Sequence, residues 1–137
     1  MTAQPIQEYD QEPGETSRFI VGVDLGQSID STAIAVLHHK ITREGRKPRL
    51  GKVARYDSYA LRHLERIPLG TSYVQQAHRI GTLMETAPIR GNGTLVIDQT
   101  GVGRPVLDIF RDHGLRPVGV TITGGAEEKR TSDGFGV

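Results

Sequence analysis

The sequence predicts an α/β domain built on one mixed sheet, with an antiparallel meander followed by strand–helix–strand units and with helices flanking the sheet. Two apolar runs with a β-branched bias, residues 19–23 (FIVGV) and 32–37 (TAIAVL), flank a short polar turn and predict a hairpin of buried strands. Farther along, short apolar runs alternate with segments of helical periodicity. A length of 137 residues is enough for one domain with a sizeable core.

The first three elements are predicted to be strands. The hairpin places strands over residues 19–25 and 32–41, and the weakly alternating residues 50–58 predict a third antiparallel strand. Residues 61–69 are ambiguous, and they stay unassigned.

The second half of the domain is predicted to alternate helices and strands. Apolar positions at helical spacing predict a helix over residues 71–87, which Pro88 ends, and residues 94–98 form the next strand. Proline in the first turn and an apolar face predict a second helix over 104–113. A last strand follows over 117–122.

Three segments describe the expected domain organisation. Residues 1–17 are polar and without periodicity, which predicts a flexible lead-in. Residues 18–125 form the folded domain. Residues 126–137 are charged and contain glycine, and we expect them to be a tail that is cut short.

Composition narrows the class of protein but selects no partner. With 17 basic and 16 acidic side chains the net charge is +1, and the absence of cysteine excludes disulfides and thiolate metal sites. No apolar stretch has membrane-spanning length, and the acidic start lacks the features of a signal peptide. We therefore expect a cytoplasmic protein.

One local cluster of positive charge interrupts this balance. Six basic side chains lie within thirteen residues, opposed by a single glutamate: Arg43, Arg46, Lys47, Arg49, Lys52 and Arg55. A solvated strand-and-loop face explains such a cluster, and so does contact with a phosphate backbone. The sequence leaves both explanations open.

Two apolar runs end in an aspartate, and these aspartates are the candidate site. Asp24 ends the first strand and Asp98 ends the strand over 94–98. If the two strands are parallel neighbours, both carboxylates emerge at one edge of the sheet, where ligands of open α/β sheets bind. They repel unless one is protonated or a cation lies between them, and oxygen ligands suit Mg²⁺ or Mn²⁺. Alternatively, Asp24 accepts hydrogen bonds from its own turn.

The glycines after Asp98 have two explanations. Residues 100–103 (TGVG) precede the start of a helix, where free backbone N–H groups favour an anion such as a phosphate. A tight strand-to-helix turn also requires glycine. The sequence does not match the GxxxxGK[ST] pattern of a P-loop.

Both acidic strands resemble those of phage terminase large-subunit nuclease domains. The segment 21–26 (VGVDLG) followed by 30–36 (DSTAIAV) is similar to the first catalytic strand and hairpin of that family. The segment 95–103 (LVIDQTGVG) followed by 105–110 (PVLDIF) is similar to its second acidic strand and the following helix. The resemblance extends in order over roughly residues 18–123.

This resemblance implies an RNase H-like fold and a magnesium- or manganese-dependent hydrolase that cuts packaged double-stranded DNA. Asp24 would bridge two metal ions and Asp98 would hold one of them. Paired ions about 4 Å apart activate a water and stabilise the leaving oxygen. The implied setting is bacteriophage DNA packaging in the cytoplasm of a bacterial host, or a prophage, with other packaging proteins as further partners.

The chain departs from the family pattern at its end. The family has a third acid on a helix after the last core strand, whereas this tail offers only Glu127, Glu128 and Asp133, outside any recognisable helix. Asp133 and Glu128 are the candidates for that role. The 137 residues do not include the ATPase motor, with its phosphate-binding loop, that the resemblance implies upstream. We therefore expect a fragment, a truncated prophage remnant or a stand-alone relative, and we expect the nuclease activity of this chain to be weak or absent.

The remaining site candidates concern the nucleic-acid backbone, which four basic residues are predicted to contact: Arg46, Lys47, Arg49 and Arg104. Two other functions stay open. One is a non-catalytic RNase H-like module that binds nucleic acid or a packaging partner. The other is half of an actin-like ATPase or sugar kinase, whose phosphate hairpin also has Asp-x-Gly followed by a small hydroxyl residue.

Overall fold

A computed structural model describes residues 14–26, 29–44 and 54–124. Its elements follow the predicted order of three strands, a helix, a strand, a helix and a strand. They are β1 (Gly14–Asp24), β2 (Thr32–Arg43), β3 (Arg55–Ile67), α1 (Tyr73–Met84), β4 (Gly93–Asp98), α2 (Arg104–Asp112) and β5 (Val118–Val120).

The five strands form one mixed sheet in the order β3-β2-β1-β4-β5. β1 pairs antiparallel with β2, and β2 pairs antiparallel with β3. β4 lies on the other side of β1, and β1–β4 and β4–β5 are parallel pairs. The predicted α/β class and the mixed sheet flanked by helices are thus confirmed, with the strand that ends at Asp98 beside the strand that ends at Asp24.

The core lies on one face of this sheet, which we call the helix face. Alternate strand residues are buried there, because successive side chains of a strand point to opposite faces. The buried strand residues of this face pack with side chains from both helices in one cluster: Val21, Val23, Ile34, Val36, Leu95, Ile97, Ala77, Ile80, Leu107 and Phe110. Ser72 caps α1 with a complete capping box formed with Gln75.

The other face carries Ile20, Gly22, Ala35 and Val96, which are half-buried. We call it the open face, since no helix of the described residues packs on it. In the part of the chain that the structure describes, neither helix has the length and apolar character needed to cross a membrane.

The third strand differs most from its prediction. β3 spans Arg55–Ile67, so it includes most of the unassigned residues 61–69, while the early part of the predicted strand, residues 50–53, lies outside the described residues. β3 is an edge strand and most of its side chains are exposed. An edge strand with so few buried residues has no clear apolar alternation in its sequence.

The other boundaries shift by a few residues. β1 begins at Gly14, four residues inside the predicted lead-in, because its polar start pairs with the end of β2 as far as Arg43. α1 ends at Met84, before the predicted 87. β5 is limited to three residues, which pair with residues 96–98 of β4. Residues 1–13 and the predicted tail, 126–137, lie outside the described residues.

Candidate metal-binding cleft

Asp24 and Asp98 are direct neighbours on adjacent parallel strands. They are the last residues of β1 and β4 and are paired in register, and neighbouring strands lie about 4.8 Å apart. Val23 and Ile97, which precede them, are buried on the helix face, so both carboxylates emerge on the open face. Asp24 is exposed and Asp98 is half-buried.

The two carboxylates open into a cleft with a volume of about 810 Å³. Its floor is the end of the sheet, and its walls come from the loops after β1, β3 and β4. Charged side chains predominate among the polar groups lining it, namely Asp24, Asp30, Arg66 and Asp98. The cleft has room for water and for a phosphate group beside the carboxylates.

Asp98 is held by the turn that follows it. The backbone N–H of Thr100 donates to Asp98 Oδ1 at 2.9 Å, and the Thr100 hydroxyl accepts the backbone N–H of Ile122 at 2.8 Å. The turn-capping role considered for Asp24 is therefore filled here by Asp98. Asp24 makes no side-chain hydrogen bond to another described residue. One oxygen of Asp98 keeps no partner among those residues.

A buried polar chain fixes the loop after Asp24. The backbone N–H of Gly26 donates to the Thr32 hydroxyl at 3.0 Å, and that hydroxyl donates to Gln76 Oε1 at 2.6 Å. The amide of Gln76 then donates to the carbonyl of Thr71 at 2.9 Å, while the Tyr73 hydroxyl donates to the Gly26 carbonyl at 3.3 Å. Thr32 and Gln76 are 2% and 6% exposed, so this chain connects the cleft rigidly to the start of α1.

Gly26 is required at its position by space. A Cβ there would lie 2.6 Å from the carbonyl carbon of Ser31 and closer still to the Asp30 carbonyl oxygen. The glycine of the Asp-x-Gly sequence thus lets the backbone at Gly26 pack directly against the backbone of Asp30 and Ser31, beside the Asp24 carboxylate. The sequence did not predict that Thr32 and Gln76 hold this loop. The available signal was a glutamine on the apolar face of the predicted helix, four residues before Ile80.

The remaining predicted site residues fall into two groups. Arg104 is exposed at the start of α2 and does not line the cleft. The others lie outside the described residues: Arg46, Lys47, Arg49, Glu127, Glu128 and Asp133. Across residues 14–26, 29–44 and 54–124, no three Asp, Glu, His or Cys side chains come close enough together to hold a metal ion.

The glycine turn after β4 has a structural role of its own. Gly101 has a φ of +76°, in the left-handed region that favours glycine, and Gly103 precedes α2 without a side-chain cap. A tight turn therefore accounts for Gly101. The alternative, an anion at the start of α2, stays a prediction.

Protein-family models, curated proteins and solved structures contain no match to this chain.

Proposed function

We propose that this chain is an RNase H-like nuclease domain of the terminase type, which hydrolyses phosphodiester bonds of double-stranded DNA with Mg²⁺ or Mn²⁺ as cofactor. The observation that carries the proposal is the in-register pair Asp24–Asp98 at the carboxyl ends of two central parallel strands. The strand order, with an antiparallel meander on one side of β1 and parallel strands on the other, supports the proposed fold type.

The donor set fits a hard divalent cation. Two carboxylates on neighbouring strands repel each other, and a cation between them converts that repulsion into attraction. Asp24 and the second oxygen of Asp98 would hold the metal, and their oxygen atoms match the preference of Mg²⁺ and Mn²⁺. When bound, the metal supplies an activated water and charge stabilisation for phosphodiester cleavage.

The chain's own residues supply position and shape. Thr100 orients Asp98 through its backbone N–H, and the Gly26–Thr32–Gln76 chain holds the loop that follows Asp24. Such supporting hydrogen bonds keep ligands within a fraction of an ångström of a productive geometry. The cleft lies on the open face, so an extended strand of DNA can approach the carboxylates from solvent.

Plasmid nicking and Mn²⁺ titration test the proposal together. We expect Mn²⁺ binding and at most weak Mn²⁺-dependent nicking by the parent chain, because its ligand set is incomplete, and loss of both in Asp24→Asn and Asp98→Asn. Asp108→Asn is the matched control, because Asp108 is exposed on α2, pairs with Arg111 at 2.7 Å and lies outside the cleft. Parallel variants Glu128→Gln and Asp133→Asn test the candidate third ligands.

The outcomes separate the alternatives. A chain that binds Mn²⁺ through both aspartates but nicks weakly matches the expectation of an incomplete ligand set. If the chain binds DNA but Mn²⁺ binding and nicking do not depend on Asp24 and Asp98, the nuclease proposal is contradicted. That result favours the non-catalytic module.

A further inference from the structure

Arg66 belongs to the same row of residues as the two aspartates. Strand register sets Arg66 opposite Ala33, Ala33 opposite Asp24 and Asp24 opposite Asp98, so the row crosses four neighbouring strands. Residues that pair in register share a face, and Arg66 therefore lies on the open face with the carboxylates. The side chain between Arg66 and Asp24 is only the methyl group of Ala33, and Arg66 lines the same cleft.

A bulge in β3 determines that an arginine occupies this place. The pairing of β2 with β3 shifts by one residue between Val36 and Leu37, which leaves Arg62 as the extra residue. A regular ladder continued from Leu37 and Leu61 would set Glu65 opposite Ala33, and it would bring a further carboxylate to the cleft. The bulge therefore gives the cleft a cation on its β3 side.

The same shift gives Glu65 a partner on the helix face. Arg79 of α1 donates to both carboxylate oxygens of Glu65, with Nε–Oε2 and Nη2–Oε1 distances of 2.8 and 2.5 Å. Arg79 holds the pKa of Glu65 below its usual range. Arg66, in contrast, has no hydrogen bond or ion pair to a described residue, and it is exposed. Its guanidinium is thus available to a ligand that enters the cleft.

We infer that Arg66 is a positioning residue that binds a backbone phosphate of the nucleic acid next to the one at Asp24 and Asp98. This inference rests on the proposed function. The Cα of Arg66 lies two strand spacings, or about 10 Å, from the Cα of Asp24. Arg66 therefore contacts a neighbouring phosphate while the scissile phosphate lies at the carboxylates. A polyanion approaching two aspartates needs a compensating cation, and the planar guanidinium pairs with phosphate through two hydrogen bonds.

DNA affinity measured by fluorescence anisotropy tests the inference. With a labelled duplex and Ca²⁺ in place of Mn²⁺, we expect Arg66→Ala to lower affinity about tenfold. We also expect it to reduce the slope of log affinity against log salt by about one. Arg66→Lys should recover the salt slope and part of the affinity. Arg62→Ala is the matched control, since Arg62 lies on the same strand but contacts His38 on the helix face, 3.4 Å away.

The inference is overturned if Arg66→Ala and Arg62→Ala weaken binding equally, if the salt slope does not change, or if the parent chain does not bind DNA. A merely structural role would lower the thermal midpoint and Mn²⁺ affinity of Arg66→Ala, and that result also counts against it. In the nicking assay Arg66→Ala should have a higher KM than the parent chain and a kcat near the parent value. Arg66-dependent DNA binding without Mn²⁺ binding or nicking keeps the inference and rejects the proposed catalysis.

Discussion

The open face of the sheet carries two clusters of charged and polar side chains, and they differ in how completely they are paired. The cleft at one end holds Asp24 and Asp98. At the other end of β1, about 20 Å away along the strand, Arg18 Nε donates to Nδ1 of the buried His39 at 3.0 Å. Nε2 of His39 contacts Asp57 at 3.1 Å.

The side chains of the His39 cluster are hydrogen-bonded to one another. Because Arg18 occupies Nδ1 as a donor, the proton of the neutral ring is on Nε2, which donates to Asp57. Arg55 also donates twice to Asp57, and Tyr59 stacks on the imidazole at a centroid distance of 4.4 Å. Hydrogen bonding from Arg55, with a smaller contribution from His39, lowers the pKa of Asp57 to about 2.

The comparison shows that charge alone does not identify a site. Both clusters contain aspartate and arginine on one face, yet one satisfies its own polar groups while the other leaves Asp24 and Arg66 without described partners. Internally paired groups stabilise the fold, and groups left open toward solvent are available to a ligand.

The largest expected effect is on metal binding. Asp24→Asn should weaken Mn²⁺ binding by roughly 100-fold or more, because even outer-shell changes at metal sites cost 10- to 100-fold. The unfolding free energy of the metal-free chain should stay the same or rise, since one of two neighbouring negative charges is removed. Calorimetric Mn²⁺ titration and urea unfolding measure the two quantities. A variant that binds Mn²⁺ as tightly as the parent rejects the site.

The next effect is on stability at the other cluster. His39→Ala should lower the free energy of unfolding by about 2–4 kcal/mol, because it leaves a cavity and removes partners from Arg18 and Asp57. Mn²⁺ affinity should not change. His78→Ala, exposed on α1, is the control and should stay within about 0.5 kcal/mol of the parent. Loss of Mn²⁺ binding in His39→Ala would show that the two clusters are coupled.

The sequence was sufficient to predict the central half of the sheet. β1 and β4 are short apolar runs that end in aspartate. Because the runs are buried, their terminal carboxylates are expected at the edge of the sheet where the strands end. The adjacency of Asp24 and Asp98 followed from this pattern together with the parallel arrangement. Their roles in metal binding stay predictions.

Features that depend on distant contacts could not be predicted in the same way. Four large apolar side chains of β3 are more than half exposed, so the strand lacks a burial pattern: Tyr56, Tyr59, Leu61 and Leu64. Thr32 and Gln76 are 44 residues apart, and no local rule pairs them. The bulge at Arg62, which decides whether Glu65 or Arg66 faces the cleft, has no marker such as glycine in the sequence.

A smaller effect is expected from the chain that supports the cleft. Thr32→Val keeps the side-chain shape but leaves the Gly26 N–H and Gln76 without their partner, and should cost about 1–3 kcal/mol of stability. A looser Asp24 loop should also weaken Mn²⁺ binding severalfold. Thr42→Val on the same strand is the control, because Thr42 makes no side-chain hydrogen bond to a described residue. Equal losses of Mn²⁺ affinity in the two variants would show that Thr32 has no specific role in holding the Asp24 loop.

The smallest effect is a pH dependence that belongs to the His39 cluster. The pKa of Asp57 is about 2 in the folded chain, below its ordinary value of 3.8, mainly because Arg55 donates to the carboxylate. The folded state therefore binds the proton less readily than the unfolded state. The resulting stabilisation is complete above about pH 4 and is lost as the pH falls toward about 2.

Asp57→Asn lacks this contribution, so the difference in thermal midpoint between parent and variant should be constant from about pH 7 to 5 and shrink between about pH 4 and 2. Asp108→Asn, whose carboxylate also pairs with an arginine but on exposed α2, controls for general acid unfolding. A parent–variant difference that stays constant down to about pH 2 would mean that Asp57 is not held ionised by its partners.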